Sequence, residues 1–238
     1  MSRAEILQDI SKIAGESGIS QEKISSIKLI AVSKYATSEQ IKNLYNQGQR
    51  DFAENIAQNA LIKQDELKKD NINNIIWHFI APVQSNKTKN IANNFSWVHS
   101  LSRIKIAQRL NSARLSSLPP LNICLQLNLD GDKNKSGILV RDIKDISEIM
   151  DIANKILEMP NLRLRGLMTL PKKLDNASQN LSHAKSVFHK CQQIFNLIKN
   201  NINKDYFDTL SMGMSEDYSQ AILCGSNMIR VGRKLFGY

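Results

Sequence analysis

The sequence predicts an α/β fold: a single closed (β/α)8 barrel of the TIM type, preceded by one extra helix. Eight short apolar runs alternate with helical patterns, which is typical of right-handed βαβ units and a parallel sheet. The 238 residues are enough for eight such units in one domain. The first run is not followed by GxGxxG, the usual mark of an open doubly wound sheet, so the closed barrel is favoured over that alternative.

The N-terminal segment "MSRAEILQDISKIAG" predicts the extra helix, because Ile6, Ile10 and Ile13 recur at helical spacing. Glu5 and Asp9 interrupt its apolar character, so it does not resemble a signal peptide. No apolar run in the sequence approaches the roughly 20 residues that cross a membrane. We therefore expect a cytoplasmic protein that does not interact with membranes.

Eight candidate strands follow this helix along the chain. They are predicted at residues 28–33, 50–55, 75–81, 95–100, 121–129, 162–170, 206–213 and 227–232. Helical patterns fill the intervals between them; one begins with Ser38 as its cap and ends at Gly48, and the last ends at Gly225. Long periodic segments cover 140–159 and 182–200. The pattern predicts one domain spanning residues 1–238.

The charge and the cysteines exclude several classes of protein. The formal net charge is +10, but the lysines are dispersed and form no basic run interleaved with aromatic residues. We therefore expect no specific nucleic-acid partner, whereas an anionic small ligand would suit a positive protein. The three cysteines are far apart and odd in number, so reduced thiols are expected rather than a disulfide framework or a metal site.

Lys34 is the residue whose position most needs an explanation. It follows the apolar run "KLIAVS" and so lies at the C-terminal end of a barrel strand, where barrel active sites are found. Burial there disfavours the charged amine, and a neutral amine attacks carbonyl groups and can form a Schiff base. The alternative is a lysine whose ammonium reaches past the strand end into solvent. Position alone favours neither.

The ends of the last two predicted strands form a second candidate region. The motifs "SMGMS" and "IRVG" contribute Ser211, Met212, Gly213, Arg230, Val231 and Gly232. Loops after these two strands often bind phosphate in barrels, and backbone amides at turns bind anions. Either motif alone is an ordinary turn, but together they lie opposite Lys34. An amine and an anion site in one cavity suggest pyridoxal 5′-phosphate as the cofactor.

Two histidines lie within apolar strands, His78 in "WHFIAP" and His99 in "WVHS". A histidine flanked by large apolar residues is more often a hydrogen-bonded core residue than a catalyst. We therefore expect His78 to line the pocket at most, and we give His99 a smaller role.

At these motifs the sequence resembles the pyridoxal phosphate homeostasis protein family. The matching stretches are "LIAVSK", "GQRDFAEN", "WHFIAPVQSNK", "WVHSL", "QLNLDGDKNKSG", "LRLRGLM", "LSMGMSED" and "IRVGRKLFG". They occur in the order of the family and cover nearly the whole chain. The resemblance implies a pyridoxal-phosphate barrel of fold type III, like the barrel domain of alanine racemase.

The resemblance also implies roles for single residues. Lys34 matches the lysine that forms the Schiff base, and Asn55 matches an asparagine near the cofactor ring. Ser211 to Gly213 and the turn at Arg230 to Gly232 match the phosphate-binding end. Arg230 has a second possible role, at the pyridine nitrogen, and the sequence does not choose between the two.

The function implied by the resemblance is buffering and delivery of the cofactor by a monomeric carrier without catalytic residues. Expected partners are pyridoxal phosphate, apo-enzymes that depend on it, and amino acids. The alternative is a racemase or related enzyme. Related racemases take a second catalytic group from an added domain, and we expect none after "LFGY"; His78 remains the alternative second group.

Three residues depart from the family pattern. Ala53 and Ala81 stand where the family usually has glycine, and a Cβ hinders positive φ angles. Slight reshaping of the second and third strand ends is therefore expected. Arg233 replaces a usually small residue beside the phosphate turn, where it either adds an anion contact or points outward.

Overall fold

A computed structural model describes residues 1–142 and 146–238 of the chain. In these ranges eight parallel strands close into a barrel, because the first strand pairs with the second and the last, and the fourth pairs with the fifth. The barrel strands are β1 Lys28–Val32, β2 Asp51–Glu54, β3 Ile76–Phe79, β4 Trp97–Leu101, β5 Leu121–Asn128, β7 Leu162–Thr169, β8 Thr209–Ser211 and β9 Met228–Val231. The predicted (β/α)8 architecture is confirmed, with a two-residue strand, β6 Ile138–Leu139, added beside β5.

Helices connect the strands and form the outer layer. They are α1 Arg3–Glu16, α2 Gln21–Ser26, α3 Ser38–Asn46, α4 Ala57–Lys69, α5 Thr88–Asn94, α6 Ile104–Ala113, α7 Ser147–Leu157, α8 Ala177–Ile202, α9 Tyr218–Leu223 and α10 Arg233–Phe236. A 3-10 turn at Ser85–Lys87 precedes α5. None of the helices in the described ranges has the length and hydropathy of a membrane span.

The sequence predictions were wrong at a few boundaries. Thr37, not Ser38, caps α3: its hydroxyl accepts from the Gln40 amide, and the Gln40 side chain accepts from the Thr37 amide. The segment predicted as helical from residue 140 becomes α7 only at Ser147, and residues 143–145 of that prediction lie outside the described residues. The short α2 and β6 were not predicted, since neither is long enough to produce a periodic pattern.

The extra N-terminal helix covers one side of the barrel. The Ser2 hydroxyl caps α1, which buries Ile6, Ile10 and Ala14. These side chains form an apolar cluster with Leu29, Ile229, Val231, Tyr218 and Ile222. The helix therefore seals the outer faces of β1 and β9 and packs on α9, so that the seam between the first and last strands is protected from water.

The inside of the barrel combines apolar and polar side chains. Its apolar residues are Ile30, Val32, Ala53, Trp97, Cys124, Met168 and Met228. Buried polar side chains, among them His78, His99, Ser211 and Arg230, share this space. A larger apolar core lies between the strands and the helices. The three cysteines are free thiols in buried positions.

Candidate functional site

A cavity of about 630 Å³ opens at the C-terminal end of the barrel, within the roughly 300–1,000 Å³ typical of sites for small molecules. Its walls come from the strand ends and the loops that follow them. Among its lining residues are Lys34, Tyr35, Asn55, Ile80, Ala81, Leu170, Met214, Ser215, Glu216, Asp217, Arg230, Gly232, Arg233 and Tyr238. Of the nine predicted site residues, it brings together Lys34, Asn55, Arg230 and Gly232.

Lys34 lies on the β1 side of the cavity, two residues after the strand ends. Its side chain is half-buried rather than enclosed, and Nζ lies 4.8 Å from the centroid of the Tyr35 ring. This contact holds the amine by a cation–π interaction and leaves it facing the cavity.

A buried ion pair supports the strand ends beneath Lys34. Lys63 of α4 donates to Glu54 Oε1 at 2.8 Å and to the Ser33 carbonyl at 2.7 Å. The Ser33 hydroxyl donates to the same Glu54 oxygen at 2.7 Å. The Glu54 side chain is 0% exposed, so this network ties β1, β2 and α4 together where both strands reach the cavity.

Asn55, the residue after β2, has an unused acceptor. Its Oδ1 is buried, lines this side of the cavity, and has no hydrogen-bond partner among the described residues. A buried acceptor without a donor is unfavourable in the free protein. The site is therefore suited to a ligand that carries a hydrogen-bond donor at this point.

Arg230 lies on β9, which pairs with β1, so it is on the strand next to Lys34 and not opposite Lys34, where the sequence analysis expected it. It is 3% exposed, and its guanidinium donates to Ser211 Oγ at 2.5 Å and to the Thr169 carbonyl at 3.3 Å. No carboxylate in the described ranges forms an ion pair with it. Burial lowers the pKa of Arg230 to about 10, against the opposing effect of Asp217, so the group remains a cation at neutral pH and attracts an anionic ligand.

The other predicted residues of β8 and β9 lie behind the cavity wall. Ser211 is buried under Arg230, Met212 belongs to the core between strands and helices, and Val231 packs outward beneath α1. Gly213 serves packing, because a Cβ there would lie 2.6 Å from Ala221 Cβ of α9. These four residues therefore contribute to the packing behind the cavity wall and do not line the cavity.

His78 also lies below the cavity, in the barrel interior. Its Nε2 is 3.0 Å from Asp51 Oδ1, its Nδ1 is 2.8 Å from His99 Nε2, and its ring stacks on Trp97. The sequence analysis expected His78 to line the pocket at most, but it is not among the residues that line the cavity. His99 continues the contacts upward, with Nδ1 2.7 Å from Ser211 Oγ.

Comparisons with known proteins agree with this geometry. The family described as alanine racemase, N-terminal domain, matches residues 18–238. The pyridoxal phosphate homeostasis protein of Pseudomonas aeruginosa is 43% identical over 213 residues, which cover 90% of this chain and 85% of that protein. The protein of the same name from Escherichia coli is 36% identical over 234 residues, 98% of this chain and 94% of the relative. The chain belongs to the family of pyridoxal phosphate homeostasis proteins.

Solved structures with a similar fold agree with these sequence relatives. PipY of Synechococcus elongatus, solved with PLP bound, superposes with a TM-score of 0.77 at 28% identity and covers 96% of this chain and 100% of that one. An alanine racemase of Clostridium difficile superposes with a TM-score of 0.62 at 14% identity, over 95% of this chain and 55% of that one. The second likeness shows a common barrel fold.

Two tyrosines at the cavity of this family member were missed by the sequence analysis. Tyr35 and Tyr238 meet edge to face, with ring centroids 5.0 Å apart. The Tyr238 hydroxyl donates to the Val32 carbonyl at 2.6 Å, and burial raises the pKa of this phenol to about 12. Gly232 leaves room for this contact, because a Cβ there would lie 2.6 Å from the hydroxyl oxygen. Tyr35 could have been found from its place beside Lys34, whereas Tyr238 reaches the cavity only through the path of the folded chain.

The three departures from the family pattern have simple structural outcomes. Neither Ala53 nor Ala81 has a positive φ angle, so their methyl groups fit without backbone strain. Arg233 lines the cavity and pairs with Glu216 at 2.6 Å, and Glu216 also pairs with Lys173 at 3.3 Å. Burial works against ionisation of Glu216, but the two cations hold the pKa of its carboxyl below the usual value.

Proposed function

We propose that this chain binds pyridoxal 5′-phosphate in the cavity at the barrel mouth and buffers and delivers the cofactor. This proposal is carried by two groups in the walls of one cavity. One is the half-buried amine of Lys34, and the other is the buried cation of Arg230, which forms no ion pair with a carboxylate of the described residues. When bound, pyridoxal phosphate supplies an aldehyde that condenses with a primary amine, together with an anionic phosphate.

The residues of the cavity fit this cofactor. Lys34 offers the amine, and Arg230 offers a positive charge that forms no ion pair within residues 1–142 and 146–238. Asn55 Oδ1 offers a buried acceptor that lacks a donor. Arg230 has two candidate partners on the cofactor, the phosphate and the pyridine nitrogen, and either would use the same guanidinium. Ser211 accepts a hydrogen bond from Arg230 and so acts on the cofactor through it. Gly232 leaves space at the cavity edge for the Tyr238 hydroxyl.

A carrier role is favoured over racemisation by the position of His78. A group that moves the α-proton of an amino acid must reach the bound substrate, and His78 is buried between Asp51 and His99 instead. The racemase alternative would take its second group from the cavity lining, for example from Tyr35 or Asp217, since the Tyr238 hydroxyl is engaged with Val32. Exchange of α-protons of amino acids into deuterated water separates the two functions: a carrier gives no exchange above free cofactor.

The proposal extends to the setting of the protein. We propose a cytoplasmic, monomeric, single-domain carrier that passes its cofactor to apo-enzymes or amino acids, whose amine would replace that of Lys34 and leave Lys34 as the free amine. The name of the Pseudomonas relative supports the homeostatic role.

The deciding experiment is the visible absorbance of the protein mixed with pyridoxal phosphate, before and after borohydride. Wild type should give a band that borohydride removes, with the added mass on the peptide that contains Lys34. Lys34→Ala should lose the band, and Lys172→Ala, which removes another lysine of the same cavity, should keep it. A band of equal size in Lys34→Ala would refute Lys34 as the attachment point, and absence of binding in wild type would refute the cofactor.

A further inference from the structure

A line of hydrogen bonds runs through the inside of the barrel from the cavity to the opposite end. Arg230 Nη1 lies 2.5 Å from Ser211 Oγ, which lies 2.7 Å from His99 Nδ1. His99 Nε2 lies 2.8 Å from His78 Nδ1, and His78 Nε2 lies 3.0 Å from Asp51 Oδ1. We call these five residues the axial chain.

The two ends of the axial chain lie in different surroundings. Arg230 lines the cavity at the C-terminal end of the barrel. Asp51 is the first residue of β2, its side chain is 16% exposed, and Lys28 lies 3.9 Å from it. A carboxylate at the N-terminal end of the barrel is therefore linked to a guanidinium in the cavity by neutral groups.

The chemistry of the ends fixes the protons between them. A carboxylate only accepts hydrogen bonds and a guanidinium only donates. His78 must therefore donate from Nε2 to Asp51, and a neutral ring then accepts at Nδ1. His99 in turn donates from Nε2 and accepts at Nδ1. Ser211 donates its hydroxyl proton to His99 and accepts from Arg230. All four hydrogen bonds therefore point the same way, with each donor on the Arg230 side and each acceptor on the Asp51 side.

Both rings are suited to the neutral state that this direction requires. Burial lowers the pKa of His78 and lowers that of His99 further, and the neighbouring charge of Arg230 adds to the effect on His99. Charged groups near the chain are Arg230 with Asp217 at one end, and Asp51 with Lys28 at the other. Arg165 lies over the Trp97 ring, 4.9 Å from its centroid. The flat face of Trp97 covers the His78 ring.

We propose that Asp51, His78 and His99 are positioning residues that act through Ser211 to hold the Arg230 guanidinium at the cavity, so that ligand affinity depends on Asp51. This inference rests on the proposed function for the identity of the ligand. Buried charged networks often contribute little net stability, because well-packed apolar residues can replace them. A hydrogen-bond network in which every group has its partner does fix the orientation of its side chains. The axial chain thus serves the geometry of Arg230.

The first test does not involve the cofactor. Two-bond ¹H–¹⁵N spectra of ¹⁵N-histidine-labelled free protein distinguish the two neutral tautomers and the imidazolium. We expect His78 and His99 both to be protonated at Nε2 only, with shifts that stay constant between about pH 8 and about pH 6, where an ordinary histidine titrates. An Nδ1–H tautomer or an imidazolium at either ring would overturn the directed chain.

The second test is a double-mutant cycle between Asp51 and Ser211, read as the dissociation constant of pyridoxal phosphate. Asp51→Leu removes the last acceptor and should weaken binding about two- to thirtyfold, the range that coupling along such networks produces. Asp51→Asn keeps an acceptor oxygen and should restore most of the affinity. Cys124→Ala, a change inside the barrel outside the chain, should leave affinity unchanged.

Ser211→Ala supplies the other arm of the cycle because it disconnects Arg230 from the histidines. It should weaken binding by itself and abolish any further effect of Asp51→Leu. Full additivity of the two changes, or an unchanged dissociation constant in Asp51→Leu, would overturn the positioning role. If wild type did not bind the cofactor, the proposed function would fail, and the tautomer spectra would still decide whether the directed chain exists.

Discussion

The two sides of the cavity treat charge in opposite ways. On the β1–β2 side, the buried Glu54 carboxylate is paired with Lys63 and hydrogen-bonded by Ser33. On the β8–β9 side, the buried Arg230 guanidinium donates to neutral groups, Ser211 and the Thr169 carbonyl. Among the described residues Asp217 acts on it electrostatically, but no carboxylate forms an ion pair with it. The buried charge on the β1–β2 side has an ion-pair partner within the protein, whereas the buried charge on the β8–β9 side has none among the described residues.

This difference suggests a division of roles. A buried pair whose two charges match makes the fold sensitive to the loss of either partner, because removing one leaves a charge without compensation. Glu54 Oε2 accepts no hydrogen bond from the described residues, so the pair with Lys63 through Oε1 is what compensates this carboxylate. A buried cation without an anion is costly in the free protein and can recover that cost from a ligand. The β1–β2 side therefore supports the strand ends that carry Lys34 and Asn55, whereas the β8–β9 side attracts the ligand.

Breaking the balanced side should have the largest effect on stability. Lys63→Ala leaves Glu54, which is 0% exposed, without its cation, and should lower the free energy of unfolding by about 3–5 kcal/mol. Urea denaturation measures the change. Lys68→Ala is the matched control on the same helix, since its pair with Asp65 is largely exposed and should contribute at most about 1 kcal/mol. Equal losses in the two variants would contradict the division.

Removing the unbalanced charge should have the opposite effect on stability. Arg230→Met replaces a buried cation by an apolar side chain of similar length, so the free energy of unfolding should stay the same or rise by up to about 4 kcal/mol. Affinity for pyridoxal phosphate should fall at least about tenfold, because one partner of a buried charge pair is lost. Denaturation and a binding titration on the same variant test both halves. A destabilised variant with intact affinity would show that Arg230 is structural.

The sequence predicted the fold and four of the residues that line the candidate site, for a clear physical reason. Alternation of apolar strands with helices depends on local pattern, and Lys34 and Asn55 directly follow strands, so topology alone brings them to the cavity. In β9 the two-residue period places Arg230 and Gly232 toward the cavity and Val231 outward. Applying that period strictly would have removed Val231 from the predicted site.

Other contacts depend on information that the sequence pattern does not contain. The contact between His78 and His99 requires the register of β3 and β4, in which His78 pairs with Trp97. The role of Lys63 depends on the rotation of α4, since two other lysines of that helix, Lys68 and Lys69, are exposed. Tyr238 reaches Val32 only because the chain turns back over the cavity after β9.

The neutral histidines of the axial chain predict a loss of stability in acid. The folded-state pKa values of His78 and His99 lie below the ordinary value of 6.5, so between these values the unfolded chain binds protons that the folded protein does not. The contribution of the two histidines to the free energy of unfolding should be fully present above about pH 6.5. It should fall as the pH decreases below this value, by up to about 1.4 kcal/mol per pH unit for each histidine.

Denaturation at a series of pH values measures this slope. His99→Gln keeps one donor and one acceptor at this position but does not titrate, so it should reduce the slope by about half. Asp51, whose pKa remains below its ordinary 3.8 through the hydrogen bond from His78 despite burial, adds a further loss only at lower pH. A flat profile between about pH 7 and about pH 5 would mean that the two rings are not held neutral.

The smallest effect is expected at the edge of the cavity, where Tyr238 joins the end of the chain to β1. Tyr238→Phe removes the hydrogen bond to the Val32 carbonyl and should cost about 0.5–1.5 kcal/mol of stability. Tyr206→Phe is the control, because no described residue accepts a hydrogen bond from its hydroxyl. The half-buried hydroxyl of Tyr238 holds its ring against Tyr35, which in turn contacts the Lys34 amine. Tyr238→Phe should therefore also change the rate of the covalent reaction at Lys34, whereas equal behaviour of the two variants would restrict Tyr238 to covering the strand end.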